Sequence, residues 1–251
     1  MTAPATRTLY PPRLLVVLDT ETTGLPSHLP GCPVRPIAIG AAGYARDGSR
    51  WQPVGTFSRL LRPAVWAPGA ADAERIHGLS RARVEAEGLP AAEGWALFAG
   101  VLRTWAQQVE GADSLHGDGP RGEAGPLVGY TAWNSAFDWP MIRRWCADAG
   151  RNPAHLRFGD VRLSPALIAP LGCLMRAWKA HTAHAATRPG GSLDKARAAL
   201  SLRARSGHHD AGEDAVLAGE VLQAMAEGRG PGQAVAAGPG PVVAAGVGAG
   251  T

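Results

Sequence analysis

Lysine is nearly absent from this sequence: Lys179 and Lys195 are the two lysines among 25 cationic residues, and the other 23 are arginine. Cysteine is scarce as well. Cys32, Cys146 and Cys173 are odd in number and far apart, which argues against a disulfide framework and fits free thiols in a reducing compartment. No run of 18 apolar residues occurs, so no segment reads as a transmembrane helix. The first residues, MTAPATRTLYPPR, lack the apolar centre of a secretory signal, and the expected location is cytoplasmic. No G-x-x-x-x-G-K-[ST] stretch is present, so the phosphate loop of many nucleotide triphosphatases is missing.

What is present suits a globular domain. The chain has 251 residues and a mass of 26.0 kDa, enough for one domain with a sizeable core. Hydrophobic residues make up 45% and charged residues 18%, which separates it from disordered chains. The net charge of +4 is compatible with a polyanionic partner, although the excess of Arg, Ala and Gly reads mainly as coding bias.

Composition marks the boundaries. Residues 1–12 are rich in Pro and Thr and read as a flexible N-terminus, and residues 13–226 hold the periodic patterns of one domain. Residues 227–251 are dominated by Gly, Ala and Pro and are expected to be disordered. Residues 111–126, GADSLHGDGPRGEAGP, read as a surface loop. Leu14 to Leu18 is an unbroken apolar strand, as in a sheet covered on both faces. Arg35 to Tyr44 and Gln52 to Leu61 read as further strands, joined by the turn residues Arg46 to Ser49. Helical spacing follows over 91–109, then a strand over Leu127 to Trp133 and a helix near 136–149. Residues 155–161 are a candidate fifth strand, and helices are expected near 163–184, 192–200 and 211–226. The order points to an α/β domain, a mixed five-stranded sheet flanked by helices.

Three stretches carry chemistry. In LLVVLDTETTGL, Asp19 and Glu21 stand two residues apart at the end of the apolar strand, so both carboxylates project from one face. Two like charges at a core edge repel unless a cation lies between them. In AWNSAFDWPMI, Asp138 falls in the first turn of a helix and shares the face of Met141, Ile142 and Trp145. Taken alone this Asp reads as dipole-stabilised, with Asn134 as a helix cap. In GHHDAGEDAVLAGEVLQAM, Asp214 shares a face with Leu217, Ala218, Val221 and Met225, and no Lys or Arg stands on that face at helical spacing. His209 precedes it by five positions, in a loop suited to a proton-transferring imidazole.

Four carboxylates without a Cys/His ligand set suit Mg²⁺ or Mn²⁺ rather than Zn²⁺. Two such ions would clamp the attacking and leaving oxygens of a phosphoryl displacement. His181 and His184, three apart, have no companions at zinc-like spacing and read as solvated. Most of the eight Trp read as core.

Taken in order, D-T-E-T-T-G, the I-H-G-L of Ile76 to Leu79, N-S-A-F-D and H-x-A-x-x-D resemble the successive motifs of the DEDDh 3′→5′ exonucleases, DnaQ-like enzymes that include polymerase proofreading subunits and ribonuclease T relatives. The resemblance spans about residues 13–226. It implies a ribonuclease H-like fold, two Mg²⁺ or Mn²⁺ ions, and release of 5′-mononucleotides from single-stranded DNA or RNA 3′ ends. By the motif match Asp19, Glu21, Asp138 and Asp214 are the metal-site acids and His209 is the general base. His208 is out of register with H-x-A-x-x-D. Thr22, Thr23, Leu25, His77, Asn134 and Phe137 are implied near the terminal nucleotide, and the partners implied are nucleic-acid 3′ ends with a DNA polymerase or a second copy of the chain. Residues 111–126 and the long 163–188 stretch depart from the family pattern, and no sliding-clamp peptide is evident. Two other readings stand beside this one: a catalytically silent nucleic-acid-binding or polymerase-associated module, and a phosphodiesterase for short oligonucleotides.

Overall fold

A computed structural model of the chain describes residues 13–24, 34–67, 70–110, 127–153, 157–158, 161–164, 172–185 and 190–232. The expectations for residues 1–12, the loop 111–126, the tail beyond 232, Leu25 and Cys32 lie outside these residues.

A mixed sheet forms the centre. Strands β1 (Leu14–Thr22), β2 (Pro36–Asp47) and β3 (Arg50–Leu60) form an antiparallel meander, and β4 (Leu127–Ala132) joins β1 in parallel. Two short strands, β5 (Arg157–Phe158) and β6 (Val161–Ser164), extend the β4 edge, giving the order β3-β2-β1-β4-β6-β5. This corrects the expectation of five strands: a body of four longer strands carries two short pieces at one side. The candidate fifth strand over 155–161 is two strands paired antiparallel, and the start of the helix expected from 163 belongs to β6.

Seven helices are present among the described residues: α1 (Ala70–His77), α2 (Arg81–Glu87), α3 (Ala91–Glu110), α4 (Ser135–Asp148), α5 (Leu174–His181), α6 (Leu193–Ala199) and α7 (Ala211–Ala226). Helices α1 and α2 were not expected. They are short, and the pattern near them is broken by Gly78 and Gly88, so little periodicity marks them. Helix α4 starts at Ser135, within one residue of the expected start near 136, with Pro140 as its sixth residue.

Leu14 to Leu18 are all buried, as an apolar run in a doubly covered strand requires. Trp95, Trp105, Trp145 and Trp178 are buried in the same core, whereas Leu97 of α3 is exposed. Cys146 and Cys173 are buried free thiols.

Two glycine contacts set the position of α7. Along β2, Gly40 and Tyr44 stand four residues apart on one face. A Cβ at Gly40 would overlap the Ala211 carbonyl, and one at Gly219 would overlap the Tyr44 ring. Four strand residues span roughly 13 Å and the eight helical residues from Ala211 to Gly219 span roughly 12 Å, so strand and helix meet at matched points. Gly43, on the other face of β2, lies against Trp105 of α3. The sheet is therefore covered by α7 on one face and α3 on the other.

Candidate active site

The carboxyl ends of β1 and β4 lie side by side, with Leu18 beside Ala132 as their last parallel pair. β1 runs on for four residues beyond that pair, which places Asp19 and Glu21 in the crevice where α4 begins. Ligand sites of α/β folds collect at such strand ends. Asp19 pairs with Gly40 and Glu21 with Ala38. Opposite residues of an antiparallel pair point the same way, so both carboxylates lie on the face that α7 covers.

Asp138 and Asp214 come to this crevice from the first turns of their helices, where the dipole favours negative charge. Asp138 is buried, and its Oδ1 accepts a 2.9 Å hydrogen bond from the Thr20 hydroxyl. Asn134 occupies the N-cap position of α4 without a side-chain capping bond, and is exposed. Helix α7 is capped by Asp210, whose carboxylate accepts the Glu213 amide at 2.8 Å. That cap orients the first turn so that Asp214, one residue further, is buried.

A cavity of about 420 Å³ opens over these groups, lined by Asp19, Glu21, Asp138, Asp214, Arg205 and His209. The acids perturb one another. Burial, then the charges of Asp138, Glu21 and Asp214, pushes the Asp19 carboxyl well above its ordinary range. Burial raises Glu21 to about 8, with Asp214 and Asp138 adding to the shift and His209 opposing it. Burial raises Asp138 to about 7 against the Thr20 hydrogen bond. A site that suppresses ionisation of its own acids has too little positive charge around them.

His209 is half-exposed, and its Nδ1 lies 3.0 Å from Asp214 Oδ2. With Nδ1 donating there, Nε2 keeps the lone pair and can take up a proton. The bond to Asp214 raises the affinity of the ring for that proton. His208 is not among the residues lining this cavity; it lines two neighbouring ones, and His209 borders one of those as well.

One expectation is overturned. Asp214 does have a cationic partner: Arg205, in the loop before α7, donates from Nη1 to Asp214 Oδ2 and from Nη2 to Asp194 Oδ1 at 3.3 Å. Arg205 lies outside the helical spacing of α7, and its side chain folds back onto Asp214 from the preceding loop. Asp214 Oδ1 remains buried with no hydrogen-bond partner among the described residues. Glu21, His209 and Asp214 each offer a ligand atom within 4.8 Å of the others. Hard oxygen donors, suppressed ionisation and an orphaned carboxylate oxygen together fit a divalent cation.

The remaining residues named from sequence divide. Thr22, His77, Asn134 and Phe137 line the cavity. The two His77 nitrogens are engaged, Nδ1 accepting the Leu79 amide at 3.0 Å and Nε2 meeting the Thr22 carbonyl at 3.3 Å. Burial lowers its basicity, so it sits as a neutral ring joining α1 to the end of β1. Thr23 is not among the lining residues. It is buried and accepts the Arg35 amide at 3.0 Å, which fixes the chain leaving β1. Ile76, at the head of the I-H-G-L motif, and Trp133 also line the cavity; the Trp133 indole donates to the Gly191 carbonyl at 3.1 Å and holds that wall in place.

No protein-family model matches the sequence, and no curated protein does. Solved structures do match in fold. Cell-death related nuclease 4 superposes with a TM-score of 0.57 at 12% identity, over 86% of this chain and 64% of that one. The zinc-bound E. coli exonuclease I complex with single-stranded DNA gives 0.56 at 15% identity, over 86% of this chain and 41% of that one. A full-length 3′-exonuclease gives 0.58 at 9% identity, over 88% and 63%. This chain thus has an α/β fold shared with exonucleases and spans less than two thirds of each of those three proteins.

Proposed function

We propose that this chain is a DEDDh-type 3′→5′ exonuclease that hydrolyses the terminal phosphodiester of single-stranded DNA or RNA and releases 5′-mononucleotides. The observation that carries the reading is the convergence of Asp19, Glu21, Asp138, Asp214 and His209, drawn from one strand, two helices and a loop, on one cavity. The fold shared with exonucleases supports it.

Asp19, Glu21, Asp138 and Asp214 would hold two Mg²⁺ or Mn²⁺ ions, which supply charge stabilisation to the attacking and leaving oxygens of the displacement. His209 accepts the proton of the nucleophilic water at Nε2, and Asp214 holds the ring in the tautomer that leaves this nitrogen free. Phe137 and Ile76 give the cavity apolar walls against which a terminal base can lie. His77 and Asn134 offer polar edges beside them.

The test is a 5′-labelled oligonucleotide, in DNA and RNA forms, single-stranded and duplex, with Mg²⁺ and with chelator. Stepwise shortening from the 3′ end that stops on chelation, and that Asp19→Ala and His209→Ala both lower by orders of magnitude, is the expected result. Full rates in both variants would overturn the roles. A binding module that does not turn over has one observation in its favour, the occupation of Asp214 Oδ2 by Arg205. Tight oligonucleotide binding without cleavage in Mn²⁺ would select that reading.

A further inference from the structure

We propose that Arg205 is a resident counter-cation of the carboxylate cluster, which leaves Asp214 to yield its place to a divalent ion. The proposal rests on the metal-binding part of the function proposed above. It concerns how this chain's own residues govern occupancy of the site.

Three observations support it. First, the Arg205 side chain is 10% exposed and its guanidinium is shared between two carboxylates of unlike surroundings: Asp214 is 4% exposed and Asp194 62%. Exposed pairs contribute little and are screened, so the buried partner dominates. Second, Asp214 divides its oxygens, with Oδ2 engaged by Arg205 and His209 and Oδ1 buried without a partner. The site can therefore offer one oxygen to an ion at once and the other only at the expense of Arg205. Third, a second cavity of about 460 Å³, lined by Arg197 and His208 among others, shares Asp194, Arg205 and His209 with the site cavity and so adjoins it at Arg205. The guanidinium thus has space and a second anchor at Asp194 when it leaves Asp214.

A fixed positive charge beside a metal position opposes the ion, and it also stabilises the acids while no ion is there. Arg205 therefore weakens metal binding and strengthens the metal-free fold. This is a positioning and tuning role, distinct from contact with the reacting phosphodiester.

The experiment compares Mn²⁺ binding, by the electron paramagnetic resonance signal of free Mn²⁺, in the full chain and in Arg205→Gln and Arg205→Lys. Thermal midpoints are recorded in chelator and in saturating Mn²⁺. Arg205→Gln should bind Mn²⁺ about tenfold more tightly at its weaker position, melt at lower temperature in chelator, and approach the parent when Mn²⁺ is saturating. Arg205→Lys, which keeps the charge and loses the fork, should stay within about threefold of the parent in affinity and serves if the Gln variant does not fold without metal. Equal or weaker Mn²⁺ binding in Arg205→Gln, tightening in Arg205→Lys as large as that expected for Gln, or no Mn²⁺ binding by any of the three proteins would overturn the proposal. Neither measurement uses nucleic acid. Absent cleavage with tightened Mn²⁺ binding would therefore sink the nuclease reading alone, and cleavage with unaltered binding would sink this one alone.

Discussion

Gly40 pairs directly with Asp19 across β1 and β2, and on the same face it supports the first residue of α7 so closely that no side chain fits between them. The absence of one Cβ thus sets the separation between the strand acids and the pair Asp214 and His209. Gly40→Ala should lift the N-terminus of α7, cost about 1–3 kcal/mol of stability, and lower hydrolysis more than the loss of folded protein explains. Gly100 in α3, where an added Cβ meets nothing within 4 Å, is the control; alanine there should raise stability by about 0.5–1 kcal/mol. Denaturant titration and initial rates on the same samples check both.

The two adjacent histidines should separate sharply. His209→Ala removes the group bonded to Asp214 and should lower the rate by about 10²–10⁴-fold. His208→Ala, whose side chain packs near Gly78, should keep most of it. Equal losses in single-turnover assays would count against the assignment of the general base.

Asp138 should show stability and activity moving in opposite directions. Asn at this position still accepts the Thr20 hydroxyl but removes a buried charge from a cluster of like charges. Asp138→Asn should therefore raise the metal-free melting temperature at pH 8, by a few degrees for about 1 kcal/mol, while hydrolysis falls by orders of magnitude. Calorimetry in chelator, set beside nuclease assays, provides the comparison.

The metal-free protein should lose stability as pH rises. Glu21 and Asp138 hold their protons to about 8 and about 7 when folded, whereas in the unfolded chain they ionise near the ordinary carboxylate values. Between those limits the folded state binds more protons than the unfolded one, so unfolding becomes easier with each increase in pH. Melting temperatures in chelator should fall from about pH 5 to about pH 8, and Mg²⁺ or Mn²⁺ should reverse the fall most strongly at the upper end. A flat profile in chelator would contradict the shifted acids.

The parts of the site that were legible in the sequence are those whose signal is local. The apolar run before Asp19 marks a buried strand, and the offsets from Asp138 to Trp145 and from Asp214 to Val221 mark core-facing helix positions, all of which the fold reproduces. Arg205 was hidden because it reaches Asp214 through a turn of the chain rather than along a helix. Gly40 was hidden because its importance lies in what approaches it. Helices α1 and α2 show no period because seven or eight residues give too few turns, and β5 and β6 are too short to show one, β6 pairing with β4 and β5 with β6.

Asp19 belongs to the first strand described and Asp214 to the last helix, so the acids converge only when nearly the whole domain is in hand. In synthesis from the N-terminus, His209 and Asp214, two of the five residues proposed for the site, would emerge only when most of the domain had been made. A product cut short before α7 would carry Asp19, Glu21 and Asp138 without Asp214, and the proposed site would stay incomplete.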